Sequence, residues 1–231
     1  MVTLSAKEGY ALWAERYDGG WPGAFEEERV IALLRNPQGL TILDAGCGTG
    51  RNSIMLCRAG ATVYGIDQSP EMILKARSTF STLGLSCTLN TGTLDKLPYR
   101  SGFFDAVLCS AVLDHILDIG PVIKEFSRVL KPTGTVIISG PSPSCDLTIH
   151  RAGFTHQTTH YTIEEHPHSY ESYDQFARLS NLVRVSTTEL GLSEKHRRYY
   201  PPDVFEQERT KKIYTIMTFR KRPTPGYSGA H

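Results

Sequence analysis

The sequence predicts an α/β fold in which helices cover both faces of a mostly parallel, doubly wound sheet. Between residues 41 and 139, short apolar runs alternate with amphipathic stretches of helical spacing, which is the pattern of successive strand–helix units. A glycine-rich loop follows the first run, and an acidic residue follows the second. With 231 residues, of which 40% are hydrophobic, the chain is long enough to bury the core of one such domain.

The N-terminal segment, residues 1–36, is predicted to be a helical cap in two pieces. Residues 10–18 are aromatic and amphipathic, and Gly19-Gly20 should end the first piece. A second helical stripe, which includes Phe25, runs up to residue 36.

Five strands and the helices between them are expected next. The strands are residues 41–43, 61–66, 86–90, 103–109 and 135–139. Helices are expected from the glycine-rich loop to residue 59, from residue 70 toward residue 80, and over residues 122–130. Ser69 is a suitable N-cap for the second helix, and Pro132-Thr133-Gly134 should end the third.

The hydrophobic periodicity changes after the fifth strand. Residues 141–169 are polar and histidine-rich, and we expect an inserted hairpin or lid there. A helix over residues 170–179 and extended segments over 183–190 and 213–219 should follow. Residues 222–231 are expected to form a disordered tail. No repeat or second domain is visible, so the whole chain is predicted to be one domain.

The glycine-rich loop reads D-A-G-C-G-T-G from Asp44 to Gly50, and Asp67 lies at the end of the next strand. A dinucleotide fingerprint requires its third glycine at position 51, which Arg51 occupies. Asp44 would repel a pyrophosphate, whereas it suits a ligand that carries an ammonium group. The spacing therefore disfavours NAD and favours a nucleoside without phosphates.

This D-x-G-x-G-x-G segment resembles the first motif of the class I S-adenosylmethionine (SAM)-dependent methyltransferases. The resemblance covers about residues 10–220. It implies a Rossmann-like, seven-stranded sheet whose C-terminal strand is antiparallel, and it implies SAM as the cofactor. It also implies that Asp44 and the backbone around Gly46 hold the methionine end of SAM, while Asp67 binds both ribose hydroxyls.

Residues 91–99 resemble the family's G-D-A-x-x-L-P-[FY] segment, which implies that Thr93 and Leu94 meet the adenine edge. Thr93 departs from the family's aspartate, so its contact with the adenine amino group should be weaker. The full set of cofactor-binding residues that the resemblance implies is Tyr17, Asp44, Gly46, Cys47, Gly48, Gly50, Asp67, Gln68, Met72, Thr93, Leu94 and Ser110.

Methyl transfer from a sulfonium requires no protein nucleophile, and a general base is needed only when the acceptor must lose a proton. His115 lies in a segment that resembles the family's L-E-H-[VI], so it is a candidate catalytic residue or a structural hydrogen-bonding one. Candidates for the acceptor pocket are Trp13, His166, His168 and Tyr170. The histidines match no zinc-binding spacing, so no metal is expected.

Composition restricts the remaining classes of function. The net charge is +1, so no global field favours nucleic acid, although residues 195–198 and 211–212 form local basic clusters. Each cluster is either a solvated face or a patch that attracts RNA or an acidic substrate. The chain has no apolar run of membrane-spanning length and no signal-peptide core. Its five cysteines lack a C-x-x-C pair, which is typical of reduced thiols in the cytoplasm.

The sequence therefore predicts an enzyme that transfers a methyl group from SAM to a small molecule. Two alternatives stay open: an RNA-directed methyltransferase and a SAM-binding protein that does not methylate. The acceptor atom and the oligomeric state are not predicted.

Overall fold

A computed structural model of the protein describes residues 2–17, 28–143, 145–146 and 152–222. The strands are β1 Val2–Leu4, β2 Thr41–Ala45, β3 Thr62–Asp67, β4 Thr88–Thr91, β5 Phe104–Ser110, β6 Leu130–Pro141, β7 Gly153–His156, β8 Thr159–Ile163, β9 Leu182–Leu190 and β10 Tyr214–Lys221. The helices are α1 Ala6–Trp13, α2 Arg51–Arg58, α3 Pro70–Leu83, α4 Gly120–Val129, α5 Tyr170–Leu179 and α6 Pro202–Glu208. Residues 28–34 are also helical, and single 3₁₀ segments cover Leu113–His115 and Glu194–Tyr199.

The main sheet has seven strands in the order β4-β3-β2-β5-β6-β10-β9. The pairs among its first five strands are parallel, whereas β10 runs antiparallel to both β6 and β9. The predicted fold class, including the antiparallel C-terminal strand, is confirmed. The chain winds outward from β2 in one direction and from β5 in the other. A ligand crevice is therefore expected at the carboxyl ends of these two neighbouring strands.

Strand β2 shows why the sheet is buried on both faces. Ile42 packs with Leu56 of α2 on one face, and Leu43 packs with Phe126 of α4 on the other. All four side chains are fully buried. A parallel strand covered by helices on both faces reads as a continuous apolar run, and residues 41–43 do so.

The N-terminus differs from the prediction of two helical pieces. Strand β1 precedes the first helix and pairs in parallel with β8, which gives a second sheet in the order β1-β8-β7. Helix α1 begins at Ala6 because Ser5 and Glu8 form a capping box, in which the Glu8 amide donates to Ser5 Oγ and the Ser5 amide donates to Glu8 Oε2. The expected break at Gly19-Gly20 and Phe25 of the second stripe lie outside the described residues.

The predicted hairpin in the insert is confirmed by β7 and β8, which pair antiparallel with a two-residue turn at 157–158. Helix α4 ends at Val129, shortly before the predicted stop at residues 132–134, but β6 begins at Leu130 and includes these residues, so it is longer than the predicted strand 135–139. The pairing of β6 with β5 is irregular there, passing from Leu130 opposite Phe104 to Thr135 opposite Ala106. Of the predicted tail, only Arg222 is described, and its amide donates to the Asn181 carbonyl.

The helices within the described ranges include none that combines the length and the hydrophobicity of a membrane-spanning segment.

Candidate active site

A cavity of about 740 Å³ lies at the carboxyl edge of the main sheet. Its walls come from the loops after β2, β3, β4 and β5, from α1 and from the segment after β8. The volume falls in the range of roughly 300–1,000 Å³ that is usual for small-molecule sites. The sheet topology and the cavity therefore agree on the position of the ligand.

The glycine-rich loop adopts a backbone conformation that only glycine takes without strain. Gly46, Gly48 and Gly50 have φ angles of +76°, +53° and +88°. A Cβ on Gly46 would lie 2.4 Å from Val112 Cγ2, whereas a Cβ on Gly48 would meet nothing within 4 Å. Gly46, Cys47 and Gly48 line the cavity. Gly50 does not, because it precedes α2 and packs against Phe80.

Cys47 is a small neutral residue of this loop. Burial raises the pKa of its thiol well above the usual value, and the nearby carboxylates of Asp44 and Asp67 add to this shift. The thiol therefore stays protonated at neutral pH.

Asp44 is placed beneath the loop rather than in the cavity wall. Its side chain is buried, and its Oδ2 accepts a hydrogen bond of 2.6 Å from Ser53 Oγ in the first turn of α2. The predicted contact of Asp44 with the methionine end of SAM stays a prediction. The carboxylate joins the end of β2 to the start of α2.

Asp67 is a carboxylate at the end of β3 that faces the cavity. Its Oδ2 accepts from the Gly48 amide at 2.9 Å, and its Oδ1 accepts from the Ser69 amide at 2.9 Å. Each oxygen retains lone-pair capacity for a further donor. Burial raises the pKa of this carboxyl, and the backbone hydrogen bonds partly oppose the shift. Asp67 can thus accept two hydroxyl groups while the backbone holds it in place.

The loop after β4 forms the wall beside Asp67. Thr93 and Leu94 line the cavity, together with Gln68 and the buried Met72 on the α3 side. The loop is held from behind by Glu125 of α4, whose Oε2 accepts from the Leu97 amide at 2.8 Å. These residues form the sides of a slot that suits a flat ring.

Ser110 and Ala111 end β5 and face the same cavity. Ala111 has a φ of +51°, which costs about 1–3 kcal/mol for a non-glycine residue. Its amide donates to the Ser139 carbonyl at 2.8 Å, which holds this conformation. A strained residue of this kind at a cavity wall is typical of a functional site.

Three polar groups of the cavity lining are hydrogen bonded in a row. The Tyr10 hydroxyl lies 2.9 Å from His115 Nε2, and His115 Nδ1 lies 2.8 Å from the Glu164 carbonyl oxygen. His166 lies beside them, with its Nε2 3.7 Å from Glu164 Oε1. All four residues line the cavity, and the roles predicted for His115 and His166 stay predictions.

The lip beside this polar end is apolar. It is formed by Val112, Ile116, Leu117, Pro121 and Val122. Leu117 is 77% exposed. The acceptor end thus combines an apolar surface with one polar corner.

Three predicted acceptor-pocket residues lie elsewhere. Trp13 stacks on Phe154 of β7, with ring centroids 4.9 Å apart, and serves as packing for α1. His168 Nε2 donates to the Ile116 carbonyl at 2.8 Å and faces a separate, smaller cavity. The Tyr170 hydroxyl donates to Glu189 Oε1 at 2.9 Å.

Several lining residues were not predicted, namely Tyr10, Arg51, Asn52, Asp95, Asp118 and Glu164. A pattern in the sequence could have indicated Tyr10, because Tyr10, Trp13 and Tyr17 are spaced at three and four residues and would share one face of a helix. Nothing local indicates Glu164, whose place depends on the fold of the insert. Within the described ranges, no group of three His, Cys, Asp or Glu side chains is arranged to hold a metal ion.

The sheet order, the glycine-rich loop and the acid on the adjacent strand define a class of α/β domain built to hold a nucleoside. Residues 43–138 match the family model described as a methyltransferase domain. This segment, which is less than half of the chain, is similar to a methyltransferase domain, and the match supports the resemblance that the first motif carries.

Individual relatives agree with this family. The chain is 36% identical over 106 residues to a ubiquinone biosynthesis O-methyltransferase of Azorhizobium caulinodans, a match that covers 46% of this chain and 42% of that protein. The matched part is thus less than half the length of that curated relative.

Two solved structures share the fold. A SAM-dependent methyltransferase from Mesorhizobium loti aligns with a TM-score of 0.65 and 20% identity, covering 84% of this chain and 96% of that one. Magnesium protoporphyrin IX methyltransferase from Synechocystis, solved with bound SAM, aligns with a TM-score of 0.61 and 22% identity, covering 84% and 77% of the two chains. At these identities, the likeness shows the fold alone.

Proposed function

We propose that this protein binds SAM and transfers its methyl group to a small-molecule acceptor. The observation that carries the proposal is Asp67, a carboxylate fixed by two backbone amides at the edge of a slot lined by Met72 and Leu94. This arrangement suits a ribose with two free hydroxyls and an adjoining flat base. The family match and the name of the A. caulinodans relative support the same reaction.

The residues that line the cavity fit SAM. The open space above Gly48 admits a ligand against the backbone, and Asp67 supplies two acceptor oxygens for the ribose. Gln68, Met72, Thr93 and Leu94 would contact the adenine, while Gly46, Ser110 and Tyr17 would enclose the methionine end. When bound, SAM supplies a methyl group that its sulfonium already activates. The protein then has to hold the acceptor in line and exclude water.

The charges in the cavity indicate which acceptors would enter. Four carboxylates line it, those of Asp67, Asp95, Asp118 and Glu164. Arg51 is the one Lys or Arg side chain in the described lining. A neutral or cationic acceptor is therefore favoured over an anionic one.

A nucleic-acid acceptor is disfavoured on the same grounds, and the basic cluster at 195–198 does not change this. Arg197 forms ion pairs with Glu194 and Glu206, at 2.7 Å and 3.0 Å. Lys211 of the second cluster pairs with Glu208 at 2.7 Å. Paired cations attract phosphate weakly, so these clusters favour a solvated face over an RNA surface.

We place the protein in the cytoplasm, a proposal that the free thiols support. All five cysteines are unbonded in the structure, as in proteins of reducing compartments.

The test is transfer of a labelled methyl group from SAM to a set of neutral small molecules that carry hydroxyl, amine, thiol or activated carbon acceptors. The proposal predicts labelled product from at least one small acceptor and none from RNA. Asp67→Ala should lower the affinity for SAM by about 1–3 kcal/mol, the cost of lost hydrogen bonds to a charged group. Asp174→Ala is the matched control, because Asp174 pairs with Arg184 outside the cavity.

Binding of SAM without transfer to any acceptor would favour the non-methylating alternative. Salt-sensitive transfer to RNA would favour the RNA-directed one.

A further inference from the structure

The row of hydrogen bonds from Tyr10 to Glu164 has a defined direction. The Glu164 carbonyl oxygen can only accept, so His115 Nδ1 carries the proton and donates to it. In the neutral imidazole, Nε2 then holds a lone pair, and the Tyr10 hydroxyl donates to that lone pair over 2.9 Å. The row of hydrogen bonds thus runs from the Tyr10 phenol to the His115 imidazole and on to the Glu164 backbone carbonyl.

The surroundings keep this pair in place. The His115 side chain is only 5% exposed, and the Tyr10 ring meets the imidazole edge-on with centroids 5.3 Å apart. Burial is the main cause that raises the pKa of Tyr10 well above its usual value, so the phenol stays protonated and remains the donor. Both side chains line the cavity, and the Tyr10 hydroxyl occupies the lone pair of His115.

We propose that Tyr10 is the catalytic residue that contacts the acceptor hydroxyl, and that His115 takes the proton through it, so that the acceptor is a neutral hydroxyl compound with an apolar body. This inference rests on the proposed methyl transfer. His115 cannot act alone in this arrangement, because its only lone pair is occupied by Tyr10.

The step balances in atoms and charge. The acceptor oxygen forms its bond to the methyl carbon as the methyl–sulfur bond breaks, and that bonding pair stays on sulfur. The acceptor proton passes to the Tyr10 oxygen while the Tyr10 proton passes to His115 Nε2. The product is a methyl ether, and the imidazolium later releases its proton to water.

The resulting imidazolium would lie near carboxylates. Asp114 Oδ2 is 3.7 Å from His115 Nε2. An opposite charge at this distance stabilises the protonated ring. Among the described residues, the titratable groups that face the pair are Tyr17, Asp67, Asp114, Glu164, Glu165 and His166.

The shape of the cavity agrees with this acceptor. The apolar lip of Ile116, Leu117 and Val122 lies beside the polar corner. A ring or chain can rest on the lip while its hydroxyl reaches Tyr10. A charged acid would meet Glu164 and Asp118 instead.

The test compares Tyr10→Phe, His115→Gln and the double variant with the matched control Tyr64→Phe, whose ring packs against Phe104 away from the cavity. Calorimetric titration with SAM measures cofactor binding in each protein, and catechol, 4-methylcatechol, benzyl alcohol and aniline serve as acceptor probes. Each single variant should bind SAM within about threefold of the wild type. Each should lower kcat for the hydroxyl probes by about 10²–10⁴-fold, the usual share of proton transfer.

The double variant should be little worse than either single variant, because the two groups act as one unit. Imidazole ¹⁵N NMR gives a readout that needs no acceptor: His115 should be the Nδ1–H tautomer, and its Nε2 resonance should move in Tyr10→Phe.

Different negative results would contradict the proposed function, the proton relay and the hydroxyl acceptor. A wild-type protein that does not bind SAM contradicts the proposed function itself. SAM binding with undiminished O-methylation in Tyr10→Phe overturns the relay, as does an Nε2–H tautomer. SAM binding with transfer to aniline but to none of the hydroxyl probes, or to no probe, overturns the hydroxyl acceptor.

Discussion

At the residue scale, burial disfavours the ionised form of the Asp67 carboxyl. Burial raises its pKa in the folded protein above the value in the unfolded chain, so the folded state binds more protons between the two values. The free energy of unfolding therefore falls as the pH rises through that interval. Removing the charge should recover this loss of stability and weaken the cofactor site.

We therefore expect the free energy of unfolding of Asp67→Asn to depend less on pH, with weaker binding of SAM, while the loss of one backbone hydrogen bond to Asp67 lowers stability at all pH values. Urea unfolding from pH 4 to pH 8 should show a smaller fall in the free energy of unfolding for the variant. In the wild type, SAM affinity should decrease as the pH drops below the raised pKa of Asp67, because the protonated carboxyl loses acceptor capacity. An affinity that rises toward acid pH would contradict this account.

The glycine-rich loop offers a comparison of two residues with similar backbone conformations. Gly46→Ala and Gly48→Ala both place a side chain at positive φ, which costs about 1–2 kcal/mol. Gly46→Ala also drives its Cβ into Val112, whereas Gly48→Ala meets only the cavity. Gly46→Ala should therefore lower the free energy of unfolding by about 1–3 kcal/mol more than Gly48→Ala does, since this is the usual cost of overpacking.

Thermal unfolding and calorimetric titration with SAM separate the two effects in these variants. Gly48→Ala should keep most of its stability but lose SAM affinity, because its Cβ occupies the space that a ligand would fill. Equal losses of stability in both would show that the Val112 contact has no effect.

At the scale of elements, α1 carries Tyr10 to the cavity and is attached through aromatic packing. Trp13 stacks on Phe154 and lies 6.0 Å from the Tyr10 ring. Gly9 allows the close approach, because a Cβ there would lie 2.9 Å from Ile163. The position of Tyr10 thus depends on contacts with the hairpin β7–β8.

Trp13→Ala should loosen this attachment. Aromatic pairs of this kind contribute about 0.5–1.5 kcal/mol each beyond their buried area. Amide hydrogen exchange in α1 should become faster, and methyl transfer should fall more than SAM affinity does. Leu12→Ala is the matched control on the same helix, since Leu12 is exposed. If exchange in α1 is equally slow in both variants, the stacking is not what holds the helix.

The bounds of several helices and strands could be predicted from the sequence. Helix α5 agrees at both ends with the prediction of residues 170–179, and β2, β3 and β5 agree to within two residues. Each of these elements has a strong local hydrophobic periodicity or a clear capping residue. Strand β1 could not be predicted, because three residues gain their pairing only from β8, far along the chain. Its formation is a tertiary effect.

The candidate site also contains some residues that the sequence could predict and others that it could not. Asp67, Gly46 and Gly48 belong to a motif whose spacing fixes their relation to the strand ends, and they line the cavity. Tyr170 is directed to Glu189, because the packing of α5 on the sheet decides its orientation. The binding roles of the lining residues stay predictions until a variant is measured.

At the scale of the whole molecule, the fold and the match of residues 43–138 to a methyltransferase domain agree with the resemblance of the first motif. The proposed nucleoside contacts and the Tyr10–His115 pair line one cavity. The loops after β2 to β4 contribute the former, while α1 and the loop after β5 contribute the latter. Separate substitutions can therefore change the cofactor contacts and the acceptor contacts.

The most direct test of the account is isothermal titration of the purified protein with SAM, S-adenosylhomocysteine and NAD. We expect both sulfur nucleosides to bind and NAD not to bind, because Asp67 accepts ribose hydroxyls and the loop spacing does not provide a pyrophosphate site. Titration of Asp67→Ala should show a loss of about 1–3 kcal/mol for both. Binding of NAD in preference to SAM, or no binding of either sulfur nucleoside, would contradict the central claim.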